Sequence, residues 1–264
     1  MKITVIGTGN MGSSIVHGLA RGKMLEASDI TCTDLLPENL EKIKAFDPNI
    51  QTATNNREAV QGADLIIIAV KPWRMECTLA EISPAIDFGK QAIISIAAGL
   101  TFEQLLSFIP KNQAKVHPTL FRVMPNTAIS VMSSMTFVSA HNASQEQTET
   151  VLQLFDELGK AMLIEERLMT AATALASCGI AFALRYIRAA IEGGVELGFY
   201  PKEAQDIVTH TVKGAVDLMI ANQSNPEAEI DKVTTPGGIT IKGLNEMELS
   251  GFTSAVIRGL KASK

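Results

Sequence analysis

"VIGTGNMGSSI", residues 5–15, is the stretch whose reading decides the fold. An apolar run ends at Ile6, Gly7, Gly9 and Gly12 follow at GxGxxG spacing, and Ile15, Val16 and Leu19 then recur at helical steps. Each glycine answers a separate demand: a tight turn at Gly7, close approach of backbone to a pyrophosphate at Gly9, and close contact of helix with strand at Gly12. The free amides at the helix start then face the anion. A bare GxGxxG can be only a turn; the strand before it and the helix after it make it a dinucleotide fingerprint. Ile6, Thr8, Asn10 and Met11 accordingly join the three glycines as candidate cofactor contacts.

Outward from that motif, "KITVIG", "ITCT", "IQTA", "ADLIIIAV", "QAIISIA", "LFRVMPN", "MTFVS" and "AMLI" recur as short β-branched runs, most with helical stretches between them. This is the rhythm of βαβ units and a mostly parallel sheet. Runs such as Leu65 to Val70 are apolar at nearly every position, which places helices on both faces. Strand signals stop after Ile164. In "EAQDIVTHTVKGAVDLMI" the apolar residues Ala204, Ile207, Val208, Val212, Ala215, Leu218 and Met219 mark one helical face. The predicted fold class is α/β: a Rossmann-type sheet domain over residues 1–164, then an all-α domain over 165–264.

Composition narrows function. The chain has 264 residues, 46% of them hydrophobic, and a net charge of −5 without long charge runs. Phosphate backbones need a concentrated basic patch, so nucleic acid is not an expected partner. Cys32, Cys77 and Cys178 are odd in number and lack CxxC spacing, which fits a reducing cytoplasm. The start shows no secretory pattern and "KITVIG" is too short to cross a bilayer, so a cytoplasmic protein beginning at Met1, without membrane partners, is expected. His17, His117, His141 and His210 show no ligand spacing, and no metal is expected.

Asp34 ends the second strand, where a carboxylate would accept from a ribose 2′-hydroxyl and repel a 2′-phosphate; this favours NADH. Thr33 beside it could instead donate to a phosphate, and "TDLLPENL" could be helix-start chemistry. Ligands of open α/β sheets sit at the carboxyl ends of strands. The tips "AVKP" (Ala69, Val70, Lys71, Pro72) and "SIAAG", with Ala97, should therefore line the cofactor cleft. Lys71 there either meets a phosphate or the nicotinamide ribose, or is a solvated turn lysine. Asn126 in "RVMPNTA" could hold the nicotinamide or the substrate, or could serve the turn.

Near the C-terminus, "VTTPGGITIKGL", residues 233–244, breaks an otherwise helical pattern with a proline and a glycine pair. With "VIGTGNMG", "AVKP", "SIAAG" and "RVMPNT" preceding it in order, the chain resembles pyrroline-5-carboxylate reductases over nearly its whole length. The resemblance implies reduction of L-1-pyrroline-5-carboxylate to L-proline by hydride from NADPH or NADH, and a helical domain that interlocks with a second copy. It places the substrate carboxylate against Thr235, Gly237, Gly238, Ile239 and Thr240, with the Thr240 hydroxyl as the catalytic group at the ring nitrogen. Glycines there let main-chain N–H groups converge, and the following helix start adds its positive end. The bland reading of the same residues is a Pro-Gly turn with Thr240 as helix cap.

The resemblance also aligns Glu166 and Thr173 with the substrate site and Asn55 with the adenosine end of the cofactor. A glutamate in a first helical turn is equally explained by the dipole, and "TNN" by a loop. Ile180, Ala128 and the absence of a histidine before Pro226 depart from the family pattern near the substrate site, which leaves a related cyclic imine as an alternative, with the five-membered substrate the first choice. A β-hydroxyacid dehydrogenase of similar plan, with Lys213 as its acid or base, and a non-catalytic dinucleotide sensor remain alternatives. Helices such as "AFALRYIRAAIEGGVELGF" are apolar on more than one face, so a partner subunit is expected, giving a homodimer or higher assembly.

Overall fold

The computed structural model describes residues 1–110 and 117–264. They form two compact units, Met1–Ser177 and Cys178–Lys264.

The first unit follows the rhythm of the sequence: β1 (Ile3–Ile6), α1 (Asn10–Arg21), β2 (Ile30–Thr33), α2 (Pro37–Phe46), β3 (Gln51–Ala53), α3 (Asn56–Ala59), β4 (Leu65–Ile68), α4 (Met75–Ile82), β5 (Ala92–Ser95), α5 (Phe102–Ser107), β6 (Thr119–Met124), β7 (Ser134–His141), α6 (Gln145–Asp156), β8 (Gly159–Leu163) and α7 (Met169–Ala172). The eight strands make one sheet in the order β3-β2-β1-β4-β5-β6-β7-β8. Only β6 with β7 is antiparallel; β1 pairs in parallel with both β2 and β4, so the chain order reverses direction there.

Alternation along β4 shows why that strand is apolar throughout. Leu65 and Ile67 join the core with Ile15, Leu19, Phe121 and Phe155, while Ile66 and Ile68 join the opposite core with Leu79, Ile93 and Phe102. Successive side chains point to opposite faces, so this strand, covered on both sides, is apolar at every position. Each such side chain, fully removed from water, contributes about 1.5–3 kcal/mol. Local chemistry agrees with the packing: Thr101 with Gln104 and Ser144 with Gln147 form reciprocal capping boxes that start α5 and α6. Cys32 is a packed apolar residue, its thiol pushed up to about 12 by burial.

After a π-helical stretch, Thr173–Cys178, the second unit contains α8 (Gly179–Glu196), α9 (Pro201–Asn222), α10 (Pro226–Val233), α11 (Ile239–Leu249) and α12 (Phe252–Ala262). Proline at the first turn starts α9 and α10, and Gln223 ends α9 in the left-handed region at φ 50°. Glu229 ties the α9–α10 turn by accepting from Lys232 Nζ at 2.8 Å, Ser224 Oγ at 2.5 Å and Asn222 Nδ2 at 3.1 Å. These bonds, Lys232 foremost, pull its carboxyl down to about 2.

The helices of this unit bury little within one copy. Ala204 is its one buried hydrophobic residue, while Leu197, Ile220, Ile239 and Leu249 are each more than 70% exposed. Within the run Glu166–Glu196 an 18-residue window has a mean hydropathy of 1.5 with 17% of it buried; by length and composition the run is apolar enough to cross a bilayer. Apolar area on this scale marks a surface for another macromolecule. Static light scattering of the purified chain should give a mass of at least two copies, and a stable monomer would contradict the association.

Candidate active site

The glycine loop is shaped by collisions that only hydrogen can avoid. Gly7 lies at φ 91° and donates to Thr33 O at 2.8 Å; a Cβ on Gly12 would lie 1.9 Å from Gly7 O and 3.1 Å from the Ala69 Cβ. The start of α1 is thereby drawn against the carboxyl ends of β1 and β4. Gly9, by contrast, faces open space. Gly9 caps α1 without a side chain and no acidic residue enters the first turn. The amides of Asn10, Met11 and Gly12, orphaned at the head of the helix, are thus left for an anion, with the positive dipole end behind them. This cradle fits the pyrophosphate of a dinucleotide.

In front of the loop lies a cavity of about 810 Å³, mostly apolar, set across the carboxyl ends of β1, β4, β5 and β6. Gly9, Asn10, Met11, Ala69, Val70, Lys71, Pro72 and Ala97 line it, as the sequence reading expects, and Thr173 joins them. Lys71 is the one charged side chain on its wall among the described residues. Ile96 of the "SIAAG" tip lines it as well, while Ser14, Thr127, Ile129, Ser130 and Ser177 also line it and escape the sequence reading. Thr127 and Ser130 follow the "RVMPN" tip directly, which is the signal that points to them. Ser177 has no such signal, because its place depends on the π-helical stretch.

Other candidates are engaged elsewhere. Ile6 is buried at the end of β1. Thr8 donates from its amide and hydroxyl to Asp34 Oδ2 at 2.6 and 3.1 Å, and Asp34 Oδ1 accepts from Leu36 N at 2.9 Å. Burial pushes the Asp34 carboxyl up, but hydrogen bonds from Leu36, Thr8 and Asn39 outweigh it and hold the group below the usual carboxylate range. Thr33 donates to Asn56 Oδ1 at 2.6 Å from a buried position. Asn55 caps α3 through Arg57 N and Glu58 N. Asn126 caps the short 3-10 turn Thr127–Val131, accepting from Ala128 N at 3.1 Å, and is not part of the cavity wall. Glu166 accepts from Arg122 Nη1 at 2.8 Å and Phe102 N at 2.7 Å.

In the helical unit, residues 235–238 form a type II turn: Thr235 O accepts from Gly238 N at 2.9 Å, and Gly237, after Pro236, lies at φ 71°. Gly238, not Thr240, caps α11, which corrects the helix-cap reading of Thr240; the extended backbone before Ile239 occurs at the glycine. Ile239 and Thr240 are the first two helical residues, both exposed, with no acidic residue in their turn. Their N–H groups therefore lack helical partners, whereas that of Gly238 is spent in the turn. The Thr235 hydroxyl lies beside them, 2.7 Å from where a Cβ on Gly238 would sit.

Comparison with known proteins adds to this geometry. Residues 166–264 match the family model "Pyrroline-5-carboxylate reductase dimerisation", and residues 2–99 match "NADP oxidoreductase coenzyme F420-dependent". The chain is 36% identical to pyrroline-5-carboxylate reductase 1 of Dictyostelium discoideum over 99% of its own length, and spans about half (48%) of that relative. It is 35% identical to pyrroline-5-carboxylate reductase 2 of the same organism, covering 99% of this chain and 90% of the relative. The crystal structure of Plasmodium falciparum pyrroline carboxylate reductase with NADP bound superposes with a TM-score of 0.86 at 25% identity, covering 100% of this chain and 95% of that one.

Because Asp34 has a lowered pKa when folded, its contribution to stability is complete above the unfolded value near pH 4 and is lost as pH falls through the folded one. In thermal melts, the gap between wild type and Asp34→Asn should be constant from about pH 7 to about pH 5 and should narrow below about pH 4. A gap that widens on acidification would contradict the bonding described for the loop.

Proposed function

The chain belongs to the pyrroline-5-carboxylate reductase family, and we propose that it reduces L-1-pyrroline-5-carboxylate to L-proline at the expense of NADPH or NADH. The observation that carries this reading is the pair of unclaimed amides at Ile239 and Thr240, beside the Thr235 hydroxyl and after the turn at Gly237 and Gly238. A small carboxylate is the anion that such a cradle takes. The Thr240 hydroxyl meets the ring nitrogen and stabilises the charge that changes there.

The bound dinucleotide supplies the hydride. The amides of Asn10, Met11 and Gly12 hold its pyrophosphate, Lys71 offsets phosphate charge at the β4 tip, and the apolar wall at Ala97 and Ile129 excludes water. Asp34, ionised at neutral pH, accepts from a ribose 2′-hydroxyl and repels a 2′-phosphate, while the Thr33 hydroxyl is already spent on Asn56. These residues favour NADH over NADPH. An imine, once protonated, is electrophilic without further help, so the protein's task is orientation rather than proton transfer by a tuned acid.

By function the chain divides at 164/165, into dinucleotide-binding residues and helical residues for substrate and association, the second part coinciding with the dimerisation match that begins at residue 166. A second copy covers the apolar faces of α8 to α12. The unpaired thiols of Cys32, Cys77 and Cys178 fit a cytoplasmic setting. The β-hydroxyacid dehydrogenase alternative loses its candidate, since Lys213 is exposed and paired with Asp217 one turn along α9.

Absorbance at the nicotinamide band with pyrroline-5-carboxylate should show oxidation of the reduced cofactor, with the higher kcat/KM for NADH. Thr240→Ala should lower kcat/KM for the imine acid by more than about tenfold and leave cofactor binding almost intact. Turnover of Thr240→Ala near the wild-type level would remove its assigned role, and a large NADPH advantage that of Asp34.

A further inference from the structure

Resting on the reading of the cavity as the seat of the reduced nicotinamide, we infer that Arg122 and Glu166 are positioning residues for the reaction, holding the wall that Thr173 and Ser177 present to the cavity. Arg122 sits in β6 and is only 8% exposed. A guanidinium so placed requires a partner. Glu166 Oε1 supplies it at 2.8 Å and simultaneously accepts from the Phe102 amide, the first of α5, at 2.7 Å.

Glu166 heads the run that leads through α7 into the π-helical stretch. Met169 and Ala172 of that run are buried against Met124 and Phe137. At its far end Ser177 Oγ donates to Pro125 O at 3.3 Å. The run is therefore tied to β6 and the residue after it at three levels, Arg122, Met124 and Pro125. Within it, Thr173, a cavity residue, donates from its hydroxyl to Met169 O at 2.8 Å, which fixes the side chain's rotamer. Neither Arg122 nor Glu166 lines the cavity, so both act through the residues that do. π-helical turns recur where a helix must present particular side chains to a functional site.

The test compares Glu166→Ala, which loses charge and acceptor, with Glu166→Gln, which keeps an acceptor, and Arg122→Lys, which keeps the charge. Active sites are counted by titration with NADH fluorescence, and kcat per site, KM for pyrroline-5-carboxylate, NADH Kd and Tm are measured for each. The expected result is a kcat per site reduced by about tenfold or more in Glu166→Ala, with part of it recovered in Glu166→Gln and NADH Kd within about twofold of wild type. Should Glu166→Ala not fold, a lowered kcat per site in Glu166→Gln or Arg122→Lys supports the inference. Wild-type kcat per site in every folded variant, with only Tm lowered, overturns it. A wild-type protein that binds NADH without oxidising it in the presence of the imine acid overturns the functional reading itself, before any variant is made.

Discussion

The close approach of three backbone segments at the ends of β1 and β4 is the constraint from which the first unit takes its use. With 1.9 Å between Gly7 O and an imagined Cβ on Gly12, the helix axis, the loop and the β4 tip can hold their places only if that position carries hydrogen. The same convergence leaves the head of α1 uncapped and open toward the cavity. Packing and anion affinity are thus two results of one steric fact, and a substitution that relieved the crowding would also move the amides.

The helical unit leaves helix-start amides free by a different route. There the Pro236–Gly237 turn, rather than a strand, delivers the chain to a helix whose cap, Gly238, has no side chain, and the space around Gly237 is open. Thr235 opens the turn and Thr240 follows it, each with a hydroxyl. Two unrelated local geometries therefore present orphan amides at the start of a helix.

Most of the fold was legible because its signals are local. All eight β-branched runs read from the sequence became strands, and the apolar pattern of residues 65–68 correctly implied cover on both faces. The cavity residues at the tips of β1, β4 and β5 were legible for the same reason, since their place follows from where a strand ends. Polar side chains fared worse. Asn55 and Asn126 each turned out to be helix or turn caps, a use that the residue type permits but does not announce. Arg122 and its bond to Glu166 were not legible because that bond spans 44 residues, and no periodicity within one element reports a partner so distant in the chain. The π-helical stretch was equally hidden, since its residues read as ordinary helix.

The sparse interior of α8 to α12 bears on how the molecule comes to exist. Where a unit's apolar faces meet only on a second copy, the free energy of folding contains a bimolecular term, and its midpoint of denaturation rises with protomer concentration. A newly made chain then completes its N-terminal sheet from its own residues, whereas its C-terminal third waits on an encounter. Expression level thereby becomes a determinant of the protein's lifetime.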